Sequence, residues 1–338
     1  MYNMHMTRIL ISGYIGFDNF GDEVIFKVLR EHLQELNYKV SALSKHSNYD
    51  IKTYNYKNLF EVIKAILNCD ILISGGGSLL QNKTSNYSLI YYLLIITLAK
   101  LFFKKVIIFA QGIEPIKGKI FKKLTAFILK QCNFISVRDE KSQKLLLKNN
   151  IKSTLVSDPA YSLAQQKVSK ENKNGLIIQL RDIKNIKKDF IQNLAHIISK
   201  HFNNVTVVAF QESYDKSICL EFVNEFKKLG KEACYIYNKD IEKTFDIINN
   251  SEFVISTRLH GLIISSALGC KVFALSYDEK IKTLVEELNI SNIDLYNYNN
   301  NELDLKLEEF FKSDYQKYNY RKFIWDEIDK KLKEYNVK

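Results

Sequence analysis

Two open α/β domains, each a parallel sheet covered by helices on both faces, are the architecture this sequence predicts. Three observations carry that expectation. Short, continuously apolar runs alternate with helical patterns through both halves of the chain, which is the rhythm of βα units whose strands are buried on both sides. The rhythm pauses at a polar stretch, Gln165 to Asn174, and then restarts. The length of 338 residues suits two cores of ordinary size, and only 2 Pro and 12 Gly interrupt regular structure. The expected division is a first domain over 1–164, a linker over 165–174, a second domain over 175–313, and a C-terminal amphipathic helix over 314–338.

The elements follow in order. Ile9–Ser12 reads as a strand, followed by a glycine-containing loop and a helix from near Asp22 with Ile25, Val28, Leu29, Leu33 and Leu36 on its apolar face. Further strands are expected at Lys39–Leu43, Ile71–Ser74, Val106–Ala110 and Phe134–Val137. Helices at Leu59–Leu67, Leu89–Phe103, Ile120–Lys130 and Glu140–Lys148 fill the intervals. In the second half, strands are expected at Leu176–Leu180, Val205–Phe210, Cys234–Tyr237, Phe253–Ser256 and Val272–Leu275. Helices at Asp189–Ser199, Ser217–Leu229, Ile241–Asn249, Leu262–Leu268 and Ile281–Leu288 alternate with them. The tail carries Tyr320, Phe323, Ile324, Ile328 and Leu332 on one side.

Composition narrows the function classes. The apolar share of 46% and charged share of 26% are those of a folded globular chain. Five scattered cysteines form no C-x-x-C pair and no zinc-ligand spacing, which points to a reducing compartment and to no metal. Met1 to Leu10 does not read as a signal peptide, so a cytoplasmic location is expected. Leu89–Phe103 is the most apolar stretch, yet it falls short of the ~20 residues a spanning helix needs. It reads first as a buried helix and second as a helix resting on a membrane surface. The net charge of +11 is spread along the chain without a nucleic-acid-binding motif, so anionic substrates or anionic lipids are the expected partners, not nucleic acid.

The chemistry-bearing residues collect where strands hand over to helices. Ser256-Thr257-Arg258-Leu259-His260-Gly261 puts an arginine and a histidine at such a junction, where free backbone N–H groups and the helix dipole favour an anion. Arginine adds a planar fork for carboxylate or phosphate, and histidine can carry a proton near neutral pH. A surface arginine beside a core histidine is the alternative. Gln179-Leu180-Arg181-Asp182 ends the first strand of the same half and Tyr277-Asp278-Glu279-Lys280 follows its fifth. Together these residues make a cationic pocket suited to a small ligand bearing both carboxylate and phosphate. His32, His196 and His201 read as structural or solvent-facing.

In the first half, the Gly13–Glu23 loop matches neither a dinucleotide fingerprint nor a P-loop. Asp22 and Glu23 suit helix capping, which leaves Asn19 as the better ligand contact. The run Gly75-Gly76-Gly77 after a strand marks close approach by a substrate or by another backbone. Arg138-Asp139 is either a charge pair capping a helix or part of an anion site.

Taken together, the Gly13–Glu23 loop, the Gly75–Gln81 loop, Val137-Arg138-Asp139, Ser157-Asp158-Pro159-Ala160, Leu180-Arg181, Ser256-x-Arg258-Leu259-His260 and Tyr277-Asp278-x-Lys280 resemble the polysaccharide pyruvyl transferase family, particularly its bacterial cell-wall group. The resemblance implies two Rossmann-like domains in a GT-B-like architecture. It also implies transfer of pyruvate from phosphoenolpyruvate (PEP) onto two hydroxyls of one sugar, as a 4,6-ketal, with release of phosphate and no cofactor. Arg181, Arg258, His260, Arg138 and Lys280 would hold PEP, and His260 or Lys280 would transfer the proton. Asn19, Asp22, Gly75, Gly76, Gly77 and Gln81 would meet a lipid-linked oligosaccharide or polysaccharide acceptor, with peripheral association at the inner face of an anionic membrane. Asn82, Gly261 and Glu279 depart from the aspartate, alanine and proline usual in the family. A nucleotide-sugar glycosyltransferase and a non-catalytic carbohydrate- or phosphate-binding protein are the competing readings.

Overall fold

The computed structural model describes residues 6–83, 85–165, 168, 173–314, 318, 320 and 325–335. The chain forms two compact units, one of residues 1–159 with 321–338 and the other of residues 160–320. It therefore passes between units twice, whereas the sequence reading has a single crossing at a linker. Most of the expected linker, and Phe323 and Ile324 of the expected tail face, lie outside the described residues.

The first unit runs β1 (Arg8–Ser12), α1 (Phe20–Glu35), β2 (Lys39–Ser44), β3 (Lys52–Asn55), α2 (Leu59–Leu67), β4 (Ile71–Gly75), α3 (Asn86–Leu101), β5 (Lys105–Gln111), α4 (Lys119–Leu129), β6 (Phe134–Val137), α5 (Glu140–Leu147) and β7 (Thr154–Leu155). The short α6 (Pro159–Gln165) spans the division. The strands form one parallel sheet in the order β3-β2-β1-β4-β5-β6-β7. Leu10, Leu72, Val106 and Ile108 of the sheet pack with Ile66, Leu93, Ile96 and Ile128 of α2, α3 and α4 in one apolar core.

The second unit contains β8 (Leu176–Gln179), α7 (Phe190–Ser199), β9 (Asn204–Ala209), α8 (Glu212–Lys228), β10 (Glu232–Tyr237), α9 (Ile241–Asn249), β11 (Phe253–Ser256), α10 (Leu259–Ala267), β12 (Lys271–Ser276), α11 (Glu279–Leu288), β13 (Ser291–Asp294) and α12 (Asn300–Lys312). Its six parallel strands lie in the order β10-β9-β8-β11-β12-β13. A core of Phe222, Phe226, Phe253, Phe273, Leu303 and Phe310 holds α8 and α12 against the sheet. The last helix, α13 (Trp325–Tyr335), belongs to the first unit.

The expected fold class of two parallel-sheet α/β units is therefore borne out. Helix ends agree best where a side chain caps the backbone. Asn58 accepts from the amides of Phe60 and Glu61 at the start of α2, and Asp240 does so for Glu242 and Lys243 at the start of α9. Leu36, expected on the apolar face of α1, is instead the exposed residue that ends it. In each sheet the strand order reverses once, between β1 and β4 and between β8 and β11. Such switch points open a crevice at the carboxyl ends of the strands, where ligands of open α/β sheets bind.

Candidate functional site

In the second unit the reversal falls between the two strands that carry the predicted cations. β8 ends at Gln179, one residue short of Leu180-Arg181, and β11 ends at Ser256, two residues short of Arg258. Ser256 and Gln179 are directly paired across the ladder. Arg258 takes the N-cap position of α10 with extended backbone, and His260 lies in the helix's first turn. The junction is tight because the Ser256 hydroxyl accepts from the Arg258 amide at 2.9 Å. Arg258 is 6% exposed, and its guanidinium pairs with the fully buried Asp215 of α8. Asp215 in turn accepts from the amides of Phe210 and Gln211, each at 2.9 Å. An anion held by two backbone donors thus fixes the cation in place.

Arg181 is half-buried and lies over the Tyr214 ring at 5.4 Å. It also hydrogen-bonds the Tyr277 hydroxyl. Burial pushes the Tyr277 phenol up, with Asp278 adding to it, while Arg181 and Arg258 pull the other way. Both arginines therefore act on the same partly buried tyrosine, so the two strand ends gather charge around it. Lys280 follows in the first turn of α11, a helix capped by Asp278 through the Ile281 amide. Glu279, where proline is usual in the family, opens that helix, a position that suits an acid.

Sequence reasoning gave no role to Gln179 or Ser276, which close the same edge. Both are fully buried. Among the described residues neither end of the Gln179 amide, nor Nε of Arg258, nor Oγ of Ser276 has a hydrogen-bond partner. Buried polar groups are normally satisfied, so a cluster left open at a strand-end crevice is a set of groups available to a ligand. A β-carbon at position 261 would overlap Oε1 of Gln179 and Oγ of Ser256. Glycine there makes room for the amide, which accounts for one departure from the family pattern.

At the first unit's switch point the two glycine loops meet. A β-carbon on Gly13 would lie 3.0 Å from the Gly75 carbonyl oxygen. Gly76 and Gly77 have φ of +65° and +73°, and β-carbons there would strike Ile25 and Asp22 of α1. At Gly76 and Gly77 the close approach is by side chains of α1, which is neither of the two alternatives stated for the run; backbone approaches backbone only between Gly13 and Gly75. Helix α1 begins at Phe20, two residues earlier than expected, which puts Asn19 at its N-cap position. The Asn19 side chain does not cap the backbone; its Nδ2 donates to Asp22 at 2.5 Å. Glu23 is tied inward, accepting from Gly16 N at 2.8 Å and from the Tyr49 hydroxyl at 2.7 Å. Burial pushes its carboxyl above the ordinary glutamate value. Gln81 accepts from the Lys83 amide. Asn82 uses both ends of its amide, donating to Lys117 O at 3.0 Å and accepting from Lys117 N at 2.8 Å. An aspartate could supply only the acceptor, so the second departure also has a structural basis.

Arg138 lies in the first unit, 9% exposed, between Asp158 at 2.7 Å and the Ser78 hydroxyl at 3.0 Å. Asp139 caps α5 through the Ser142 amide and adds its charge to that of Asp158 around Arg138, so the capping alternative holds for Asp139, while Arg138 makes its hydrogen bonds to Asp158 and Ser78. Arg138 ties the Gly75–Gln81 loop to the end of the sheet. A broad crevice elsewhere in the second unit, lined by Asn174, Val205, Lys231 and Cys234, opens at the amino ends of the strands. That is the wrong edge for a strand-end ligand.

Two switch points edged with small and polar residues, one of them bearing the buried Arg258, define a two-unit α/β protein whose candidate ligand site lies at the carboxyl edge of the second sheet. Similarity to solved structures gives the same fold. The chain superposes on UDP-GlcNAc 2-epimerase of Methanocaldococcus jannaschii with a TM-score of 0.66 at 13% identity, covering 97% of this chain and 100% of that one. MnaA of S. aureus gives 0.63 at 12% identity, covering 98% and 97%. MurG of Acinetobacter baumannii gives 0.54 at 10%, covering 90% and 91%. These are GT-B-type structures, and the fold is GT-B-like. No curated protein matches the sequence. The model of the polysaccharide pyruvyl transferase family matches residues 19–279, and the chain belongs to that family. The class of activity is thereby transfer of a pyruvyl group to a polysaccharide.

Proposed function

We propose that the protein moves pyruvate from PEP onto two hydroxyls of one sugar, as a 4,6-ketal, in a cell-wall or surface polysaccharide precursor. The observation that carries this reading is the set of buried, open polar groups at the β8/β11 switch point, Arg258 Nε and the Gln179 amide, beside Arg181. PEP is a small, highly charged anion, and each hydrogen bond to a charged group contributes ~1.5–3 kcal/mol. Arg258 and Arg181 bind its phosphate and carboxylate, and Gln179 orients it. His260, in the first turn of α10, protonates the methylene carbon, and Lys280 stands in reserve for that step. Positive charge then develops at C2, and one sugar hydroxyl adds there while losing its proton. The C2–O bond to phosphate breaks, phosphate leaves with the bonding pair, and the second hydroxyl closes the ring with loss of its own proton.

The acceptor, a lipid-linked oligosaccharide or polysaccharide, is read onto the first unit's switch point through Asn19, Asp22, Gly75, Gly76, Gly77 and Gln81. Arg138 holds that loop in shape. Phosphate release from PEP, measured with and without a sugar bearing free 4- and 6-hydroxyls, tests the reaction, and acceptor-dependent release is expected. Replacing His260 by alanine is expected to lower turnover ~10²–10⁴-fold. A fall of less than about tenfold assigns the proton elsewhere. Release of nucleotide from UDP-sugars in place of phosphate from PEP replaces the whole reading with glycosyl transfer.

A further inference from the structure

We propose that the outer face of α2, α3 and α4 docks the protein on an anionic lipid bilayer. Among the described residues, eleven of the nineteen exposed large apolar side chains fall between Leu59 and Phe127, far denser than the scattered surface hydrophobics of an ordinary monomer. On α3 they recur at Tyr87, Ile90, Leu94 and Leu101, exposed by 85%, 43%, 46% and 65%, at intervals that keep them on one side of a helix. The opposite side of α3, through Leu89, Leu93 and Ile96, is buried in the unit's core. Ile120, Leu124 and Phe127 repeat the stripe on α4, and Phe60 on α2 is 86% exposed. Helix α2 packs on α3 and α3 on α4, so the stripes share one layer. Phe103, in the turn after α3, is 93% exposed with φ of +56°.

Charge identifies the occupant. Between residues 83 and 130 there are nine lysines and a single acid, Glu114. That acid is buried and paired with Lys83. The stripes of α3 and α4 are therefore flanked by amines, with no exposed carboxylate in this stretch, and α2 adds one of each sign, Glu61 and Lys64. Aliphatic and aromatic side chains at the headgroup boundary, with lysines reaching phosphates, form the pattern of an interfacial anchor. A second copy of the chain fits worse, because two such faces would bring their lysine rims together. Nucleic acid fits worse too, because the face is mostly leucine and isoleucine, which offer bases nothing to stack on, and its four aromatics, Phe60, Tyr87, Phe103 and Phe127, are spread over three helices and a turn. The surface stands apart from the donor chemistry. It rests on the proposed function only in that a lipid-linked acceptor lies at such a membrane.

Flotation of the full chain with vesicles of phosphatidylcholine containing phosphatidylglycerol, against phosphatidylcholine alone, tests the surface. Binding to the anionic vesicles is expected, falling as salt rises. The double variants Leu94→Asp/Tyr87→Asp and Ile120→Asp/Phe127→Asp are expected to lower the partition at least about tenfold. Leu305→Asp, at an exposed apolar position of α12, is the control and is expected to bind as the parent does. All these side chains are exposed, and unchanged melting confirms that the variants fold. Equal binding to both vesicle types overturns the proposal, as does full binding by the double variants. So does a parent dimer that the double variants convert to monomer with no lipid effect. Phosphate release from PEP with a water-soluble acceptor in lipid-free buffer reads the reaction separately. Its absence in the parent removes the catalytic reading and leaves the docking result standing.

Discussion

Gln179 has its whole amide buried and open, and its neighbour Gly261 leaves no room for a β-carbon beside it. This pair can be tested without substrate. Gly261→Ala must displace the Gln179 side chain, and overpacking of this kind costs about 1–3 kcal/mol. In a Gln179→Ala background most of the obstacle is gone, so the same substitution should cost clearly less. A double-mutant cycle by urea denaturation is expected to return a coupling on the order of 1 kcal/mol; additive effects would mean the amide does not occupy that space. The cationic residues were legible in the sequence because Arg181, Arg258 and His260 follow apolar runs that announce strand ends. Asp215 was not, because it lies 43 residues from the arginine it holds and no local spacing connects the two. Gln179 was visible as a letter, but its role depends on the pairing of β8 with β11, which periodicity cannot supply.

Helix α1 shows how an element can hide a residue's role. Glu23 stands in the first turn, where a carboxylate would simply complement the dipole, yet its hydrogen bonds turn it inward to Gly16 and Tyr49. Burial raises its folded-state pKa above the ordinary 4.5, so the folded chain holds this proton more firmly than the unfolded chain. As pH rises from 4.5 through the raised folded value, the unfolded state loses the proton first, and stability falls across that window. Glu23→Gln keeps a hydrogen-bonding amide without the charge. Its urea midpoints, followed from about pH 4 to about pH 7, should lack the parent's decline attributable to this group; parallel parent and variant profiles would reject the account. Elements with strong apolar runs, such as β11, agree with the sequence reading at both ends. Edge strands β3 (Lys-Thr-Tyr-Asn) and β13 (Ser-Asn-Ile-Asp) were missed. Each pairs on one side only, so neither needs the continuous apolar run of a central strand. Helix α12 was missed although Leu303, Leu307 and Phe310 carry a helical spacing and Asn299 caps its start.

At the scale of the whole molecule, the proposed donor groups and the chain's one tryptophan fall in different units, and this makes the proposed division measurable. Helix α13 packs on the first unit, where Asp329 meets His32 at 2.8 Å and Trp325 stacks on the same imidazole at 3.6 Å. That His32 contact spans 297 residues, which is why the tail reads in sequence only as an amphipathic helix with no stated partner. Trp325 is the chain's one tryptophan and also lies 5.7 Å from Phe109 of β5, so its emission reports the first unit. The proposed donor groups Arg181, Arg258, His260, Lys280 and Gln179 all belong to the second. A ligand that binds only the folded second unit should stabilise it by about 2.7 kcal/mol at a hundred times its Kd. Hydrogen exchange with PEP should therefore slow in peptides covering 176–182, 253–268 and 277–288, while peptides of β1, β4 and α1 exchange as before. The urea midpoint read from Trp325 should move less than that read from far-ultraviolet circular dichroism, which samples both units. Protection confined to residues 6–159 would place PEP at the glycine loops instead and exchange the roles of the two switch points.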